Sequence, residues 1–184
     1  MHVPQARQPC YHGTMTTRVL CVLAAILALA ACNPTYNWRD YTNQEAGYRV
    51  TFPAKPSSAT RTIDLDGMQV SMTMTAAEVE GATFAVGAAE APDAGRARAA
   101  LGAMKLALLR NIGAPLPAQA ADGAAVTATA TEVDASGAGQ GRPMRLVGHF
   151  EARGKRFYQV IVIGRDKTVP PEQIEQFLTS FTLL

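Results

Sequence analysis

Hydrophobic and polar positions change period three times along this chain. Val19 to Ala31 is almost entirely apolar. From Tyr48 onward apolar and polar residues alternate, and after Pro92 the apolar ones recur at three- and four-residue steps. An apolar run predicts a helix or a targeting segment, alternation a half-buried strand, and the longer step an amphipathic helix.

In Gly47-Tyr48-Arg49-Val50-Thr51-Phe52-Pro53, Tyr48, Val50 and Phe52 share one face of a strand. Pro53 and Pro56 end it, because proline cannot donate to a ladder. Ala59 to Leu65 and Met68 to Thr75 flank Asp66-Gly67, a strong hairpin signal. Met68, Val70, Met72 and Met74 fall on one face of the second strand, with Gln69, Ser71, Thr73 and Thr75 on the other. A further short strand covers Ala82 to Ala88 around Phe84 and Val86.

Leu101, Met104, Leu108, Leu109 and Ile112 predict a helix from about residue 94 to 112, with Asp93 as N-cap and Gly113 as the stop. Ala114 to Ala121 reads as a loop, Val126 to Val133 as a Thr/Ala-rich strand and Ala135 to Pro143 as a mobile Gly-rich connector. Met144 to Glu151 and Arg156 to Ile163 form a second hairpin around Arg153-Gly154-Lys155. Phe157 to Ile163 is nearly continuously apolar, as in a central strand covered on both faces. Pro170-Pro171-Glu172 opens a last helix lined by Ile174, Phe177, Leu178 and Phe181. Short links between strands predict an α+β fold, an antiparallel β-sheet with helices packed on both faces.

The apolar run at the start has a different meaning. Arg18 precedes it, small residues close it, and it is too short to cross a bilayer, which needs about 20 apolar residues. It ends in Leu29-Ala30-Ala31-Cys32. That ending resembles the lipobox of bacterial lipoproteins, in which the signal peptide is cut before a cysteine that carries a diacylglyceryl thioether. The resemblance implies lipidation of Cys32 and a partner in the membrane. Residues 1–31 are then leader and signal peptide, with Met15 the natural start. Residues 32–46, polar with three aromatics, are a lipidated tether from which Trp38 or Tyr41 docks, and 47–184 is the domain. Asn33, rather than Asp, after the cysteine favours the outer membrane over the inner one.

Without residues 1–31 the 184-residue chain leaves one ordinary domain. Its 17 basic residues, less Arg7 and Arg18 of the leader, balance the 15 acidic ones. A neutral domain carries no electrostatic case for nucleic acid. Of the three cysteines only Cys32 remains, so no internal disulfide is expected.

Two ends of the domain are similar to one family. Gly47-Tyr48-Arg49-Val50-Thr51-Phe52-Pro53-Ala54-Lys55-Pro56 resembles the opening strand of small bacterial envelope proteins with the PsbP-like fold, the DcrB-type lipoproteins among them. Phe157-Tyr158-Gln159-Val160 and Phe177-Leu178-Thr179-Ser180-Phe181 resemble that group's last strand and its ending. The middle, residues 57–150, matches in element order alone. The resemblance implies an α-β-α sandwich and carries no catalytic residue, since fold is a poor guide to function.

Candidate chemistry is sparse. Met68, Met72 and Met74, with Met104 and Met144, could ligate a soft metal, but alternate apolar residues on a strand are core by default. His149 is the one histidine of the mature chain, placed by alternation beside Arg145 and Val147, and one imidazole does not make a multi-histidine zinc site. Ser57, Ser58, Ser71, Ser136 and Ser180 lie in no nucleophile elbow. Asp64 with Asp66, and Glu78 with Glu80, read as solvated turn residues. Gly137, Gly139 and Gly141 lack the strand-to-helix setting of a phosphate loop. Arg153, Lys155 and Arg156 form a small basic turn. The expectation is a lipid-anchored, non-enzymatic interaction or assembly module with an envelope protein partner, no cofactor and no metal. The alternative is a periplasmic carrier that holds a small apolar ligand or a metal on its methionine face.

Overall fold

The computed structural model describes residues 34–116 and 130–184; the leader, Cys32 and the expected strand residues 126–129 lie outside them. The fold is α+β, with two antiparallel sheets and two helices. The strands are β1 (Arg39–Asn43), β2 (Tyr48–Phe52), β3 (Ser57–Leu65), β4 (Met68–Val79), β5 (Ala82–Glu90), β6 (Ala130–Gly137), β7 (Met144–Arg153), β8 (Arg156–Arg165) and β9 (Thr182–Leu183). Helix α1 (Ala94–Asn111) follows β5, and α2 (Pro171–Ser180) follows β8. One sheet runs β1-β2-β9 and the other β3-β4-β5-β8-β7-β6.

Local chemistry sets the links. Asp66 and Gly67 both take positive φ (54° and 81°), the geometry that two-residue hairpins require, so β3 and β4 pair in register from Leu65↔Met68 to Ser57↔Ala76. The Asp93 carboxylate accepts from the Arg96 N–H at 2.8 Å and caps α1, and Gly113 turns the chain away at φ 66°. Pro170 and Pro171 open α2, where missing N–H groups leave nothing unpaired.

Strand alternation divides the interior into two cores. Ala85 and Ala89 of β5, with Phe157 and Ile161 of β8, join Ala97, Ala100, Leu101, Met104 and Leu109 of α1. Phe84, Val86 and Ala88 of β5, with Tyr158, Val160 and Val162 of β8, join Tyr48, Val50 and Phe52 of β2 and Ile174 and Phe177 of α2. Strand β8 lies between β5 and β7 and is buried from Phe157 to Val162, as its apolar run predicts. Aromatic rings dominate the second core. Phe177 stands 5.4 Å from both Phe52 and Phe84, centroid to centroid.

Two expectations are corrected. The tether expected over 32–46 gives way to structure well before residue 47. Thr35–Leu184 is one compact unit, and β1 pairs along the whole of β2, Arg39↔Phe52 to Asn43↔Tyr48. The polar string Arg39-Asp40-Tyr41-Thr42-Asn43 hides this strand, because its pairing is made by backbone groups that any sequence carries. Both Tyr36 and Trp38 set their rings against Phe84, and Tyr41 sets its ring against Phe52 at 5.7 Å. The second correction concerns 135–143, expected as a mobile connector. Residues 135–137 continue β6, and Gly139–Gly141 forms a 3-10 turn packed on the end of α1. Strand β6 runs through Val133 and continues past the end of the expected span to Gly137.

Candidate functional site

An open cleft of about 670 Å³ borders β6, β7 and α2. Alternation along β7 sends Arg145, Val147, His149 and Glu151 toward it, while Leu146, Phe150 and Ala152 point into the first core. Alternation along β6 likewise sends Glu132 and Asp134 to the cleft and Val133 to the core. Helix α2 supplies Ile174, Glu175, Leu178 and Thr179, and Phe181 closes one side. Strand β7 and helix α2 each give the cleft both apolar and charged side chains, and β6 adds Glu132 and Asp134.

The strongest pair on that rim is Arg145 with Asp134. Its guanidinium donates from Nε at 3.0 Å and from Nη2 at 2.9 Å to the two carboxylate oxygens. This fork geometry is the stronger form of ion pairing. The hydrogen bond from Arg145 holds the Asp134 carboxyl below the usual carboxylate range, and the same bond raises the guanidinium of Arg145. Asp134 keeps more than half its side-chain surface in water, so the pair contributes less than about 1 kcal/mol to stability.

His149 sits opposite Glu132 across the β6–β7 ladder, and its Nε2 lies 3.4 Å from Glu151 Oε2. A carboxylate-oriented imidazole is one element of acyl-transfer chemistry, which needs in addition a hydroxyl free to lose its proton. The hydroxyl lining this cleft is Thr179, and it donates to the Glu175 carbonyl of its own helix at 2.7 Å. The serines lie elsewhere. Ser180 Oγ donates to the Phe177 carbonyl at 2.7 Å and accepts from the Thr51 N–H, while Ser58 bonds Thr75 at 2.8 Å. Ser57, Ser71 and Ser136 are exposed on β3, β4 and β6.

The methionines are brought together, but into packing. Met72 and Met104 are buried in the first core, with Met68, Met74 and Met144 packed against it. Met74 Sδ accepts from the amide of buried Gln159 at 3.2 Å. Among the described residues no group of three or more His, Cys, Asp or Glu side chains is placed to hold a metal ion. The basic turn puts Arg153 directly opposite Arg156, a like-charge pair that costs stability on a ladder. Asp64 accepts from the Gly67 N–H at 2.7 Å and from Gln69, a structural turn role. Among the described residues no helix is long and apolar enough to cross a membrane.

Sequence reasoning placed His149, Arg145 and Val147 on one face correctly, and did not find Glu132, Asp134, Glu151 or Glu175. The two-residue step joins Glu151 to His149, and the same step joins Glu132 to Asp134. Their meeting depends on the β6–β7 register and on where α2 docks, which are long-range facts. These geometries define an α+β protein of two antiparallel sheets with a mixed apolar and acidic cleft. No protein-family model, curated protein or solved structure matches the chain.

Proposed function

We propose that this chain is a bacterial lipoprotein, held to the envelope by acyl chains on Cys32 and facing the periplasm, at the outer membrane in preference to the inner. Its domain serves as a non-enzymatic interaction or assembly module. The observation that carries this reading is Leu29-Ala30-Ala31-Cys32 at the close of an apolar run too short to span a bilayer. Two or more acyl chains, at ~0.8 kcal/mol per buried CH₂, make such an anchor persistent.

The fold proposed for the module is the PsbP-like α-β-α sandwich, with helices on both faces of the larger sheet. Its support is the alternation on β5 and β8, whose odd and even residues fall in separate cores, one holding Leu101 of α1 and the other Phe177 of α2. The non-enzymatic reading is supported by the bonded state of Thr179 and Ser180, whose protons are committed to helix carbonyls. The test is the intact mass of protein extracted from membranes, wild type beside Cys32→Ser. A species that begins at Cys32 with acyl mass, missing from the variant, is the expected result. An unmodified soluble wild type overturns the anchor.

A further inference from the structure

Three carboxylates on the cleft rim have no Lys or Arg partner among the described residues. They are Glu132 from β6, Glu151 from β7 and Glu175 from α2. Among the described residues that line the cleft Arg145 is the sole Lys or Arg, and it is already paired with Asp134 by the fork. Between these acids runs an apolar strip in which half-buried Val147 and Leu178 flank Ile174, itself buried in the second core. A volume of about 670 Å³ lies in the range of sites that hold side chains or small ligands.

We propose that this cleft is a partner-binding site and that it takes a peptide segment with an apolar side chain set between Lys or Arg residues. The inference rests on the reading of the domain as an interaction module and names the chemistry of its partner. Charge complementarity selects this occupant. An anionic lipid surface would meet three unneutralised carboxylates and be repelled. The chain's own residues 117–129 contain Asp122 and no Lys or Arg, so they do not supply the complement. An apolar side chain enters the strip while flanking cations reach the rim, which fixes register as well as affinity.

The test uses the full-length protein in detergent and two acetylated, amidated peptides, Lys-Leu-Lys-Val-Lys and Glu-Leu-Glu-Val-Glu, with Lys-Gly-Lys-Gly-Lys as a third probe. Calorimetry gives the affinity, and the imidazole signals of His149, assigned with His149→Gln, give the place. The expected result is saturable binding of the first peptide with a shift of the His149 signals, and at least tenfold weaker binding of the other two. Glu132→Gln/Glu151→Gln/Glu175→Gln is expected to weaken the first peptide at least tenfold, while Glu78→Gln/Glu80→Gln, at the end of β4 and in the turn after it, leaves it unchanged. Should the triple variant lose its circular dichroism spectrum, Glu175→Gln alone, exposed on α2, replaces it with a measurable loss expected. Absence of saturation, equal binding of the three peptides, or equal effects of the two variant sets overturns the proposal. The titration is repeated on Cys32→Ser protein, since a groove needs no acyl chain. A wild type that binds peptide but carries no acyl mass would thus sink the anchor alone, and an acylated wild type that binds no peptide would sink the groove alone.

Discussion

Gly137 lies directly beneath Ile112. A β-carbon on the glycine would sit 2.2 Å from the Ile112 carbonyl oxygen and 2.5 Å from the Ala114 nitrogen. The end of β6 and the end of α1 thus touch through backbone, with no side chain between them that could yield. Gly137→Ala is expected to lower stability by about 1–3 kcal/mol or more, the range for overpacking a tight contact. A denaturant titration followed by circular dichroism reads the shift in midpoint. A loss under about 0.5 kcal/mol, the scale of an ordinary surface change, would show that the contact relaxes freely.

Thr75 is fully buried on the face of β4 that its sequence neighbours mark as polar. Its hydroxyl accepts from the Tyr48 O–H at 3.2 Å and bonds Ser58 at 2.8 Å, which joins β2 of the small sheet to β3 and β4 of the large one. Thr75→Val keeps the shape and strands the Tyr48 hydroxyl, at an expected cost of about 1–3 kcal/mol. Tyr48→Phe leaves Thr75 its bond to Ser58 and is expected to cost less. Equal losses in the two variants would place the energy in packing rather than in the hydrogen bond.

Burial raises the phenols of Tyr48, Tyr158 and Tyr36 above their usual value, with Glu80 and Glu172 adding to the effect at Tyr36. The folded chain therefore keeps protons that the unfolded chain releases near pH ~10. This stabilisation is complete below that pH and is lost as pH rises toward the folded values. Absorbance of tyrosinate followed against pH is expected to show a late, steep rise that coincides with loss of structure. An early, gradual rise across all tyrosines would mean that these hydroxyls are freely solvated.

Phe177 ties α2 to both sheets, since its ring meets Phe52 of β2 and Phe84 of β5. Phe177→Ala is expected to cost about 3–5 kcal/mol through lost burial and the cavity left behind. Trp38, the sole tryptophan, stacks 6.2 Å from Tyr36 and meets Phe84 edge-on, so its fluorescence reports the same core. The variant should unfold at lower denaturant with the Trp38 and far-ultraviolet transitions still coincident. A Trp38 transition that separates from the rest would mark β1 as an independently unfolding element.

Local signals made much of the fold legible. Asp66-Gly67 marks a hairpin because few residue pairs tolerate two positive φ angles, and Asp93 with Gly113 bounds α1 because helix ends need a side-chain acceptor and a left-handed exit. The apolar run of β8 shows that it is central, since only a strand covered twice can afford no polar face. What stayed hidden was strand β1, whose polar residues pair through backbone alone, and the glycines near 137, whose purpose is the approach of Ile112.

The amino-acid sequence by itself determines the alternation, the caps, the turns and the cysteine after the apolar run, because each is a property of residues close together in the chain. The tertiary structure alone decides that Glu132 faces His149, that α2 lays Leu178 and Glu175 beside them, and that Thr75 is buried under Tyr48. Those relations join segments up to dozens of residues apart. Strand order, register and helix docking set them through the burial of two cores at once, and no short window of sequence contains that information.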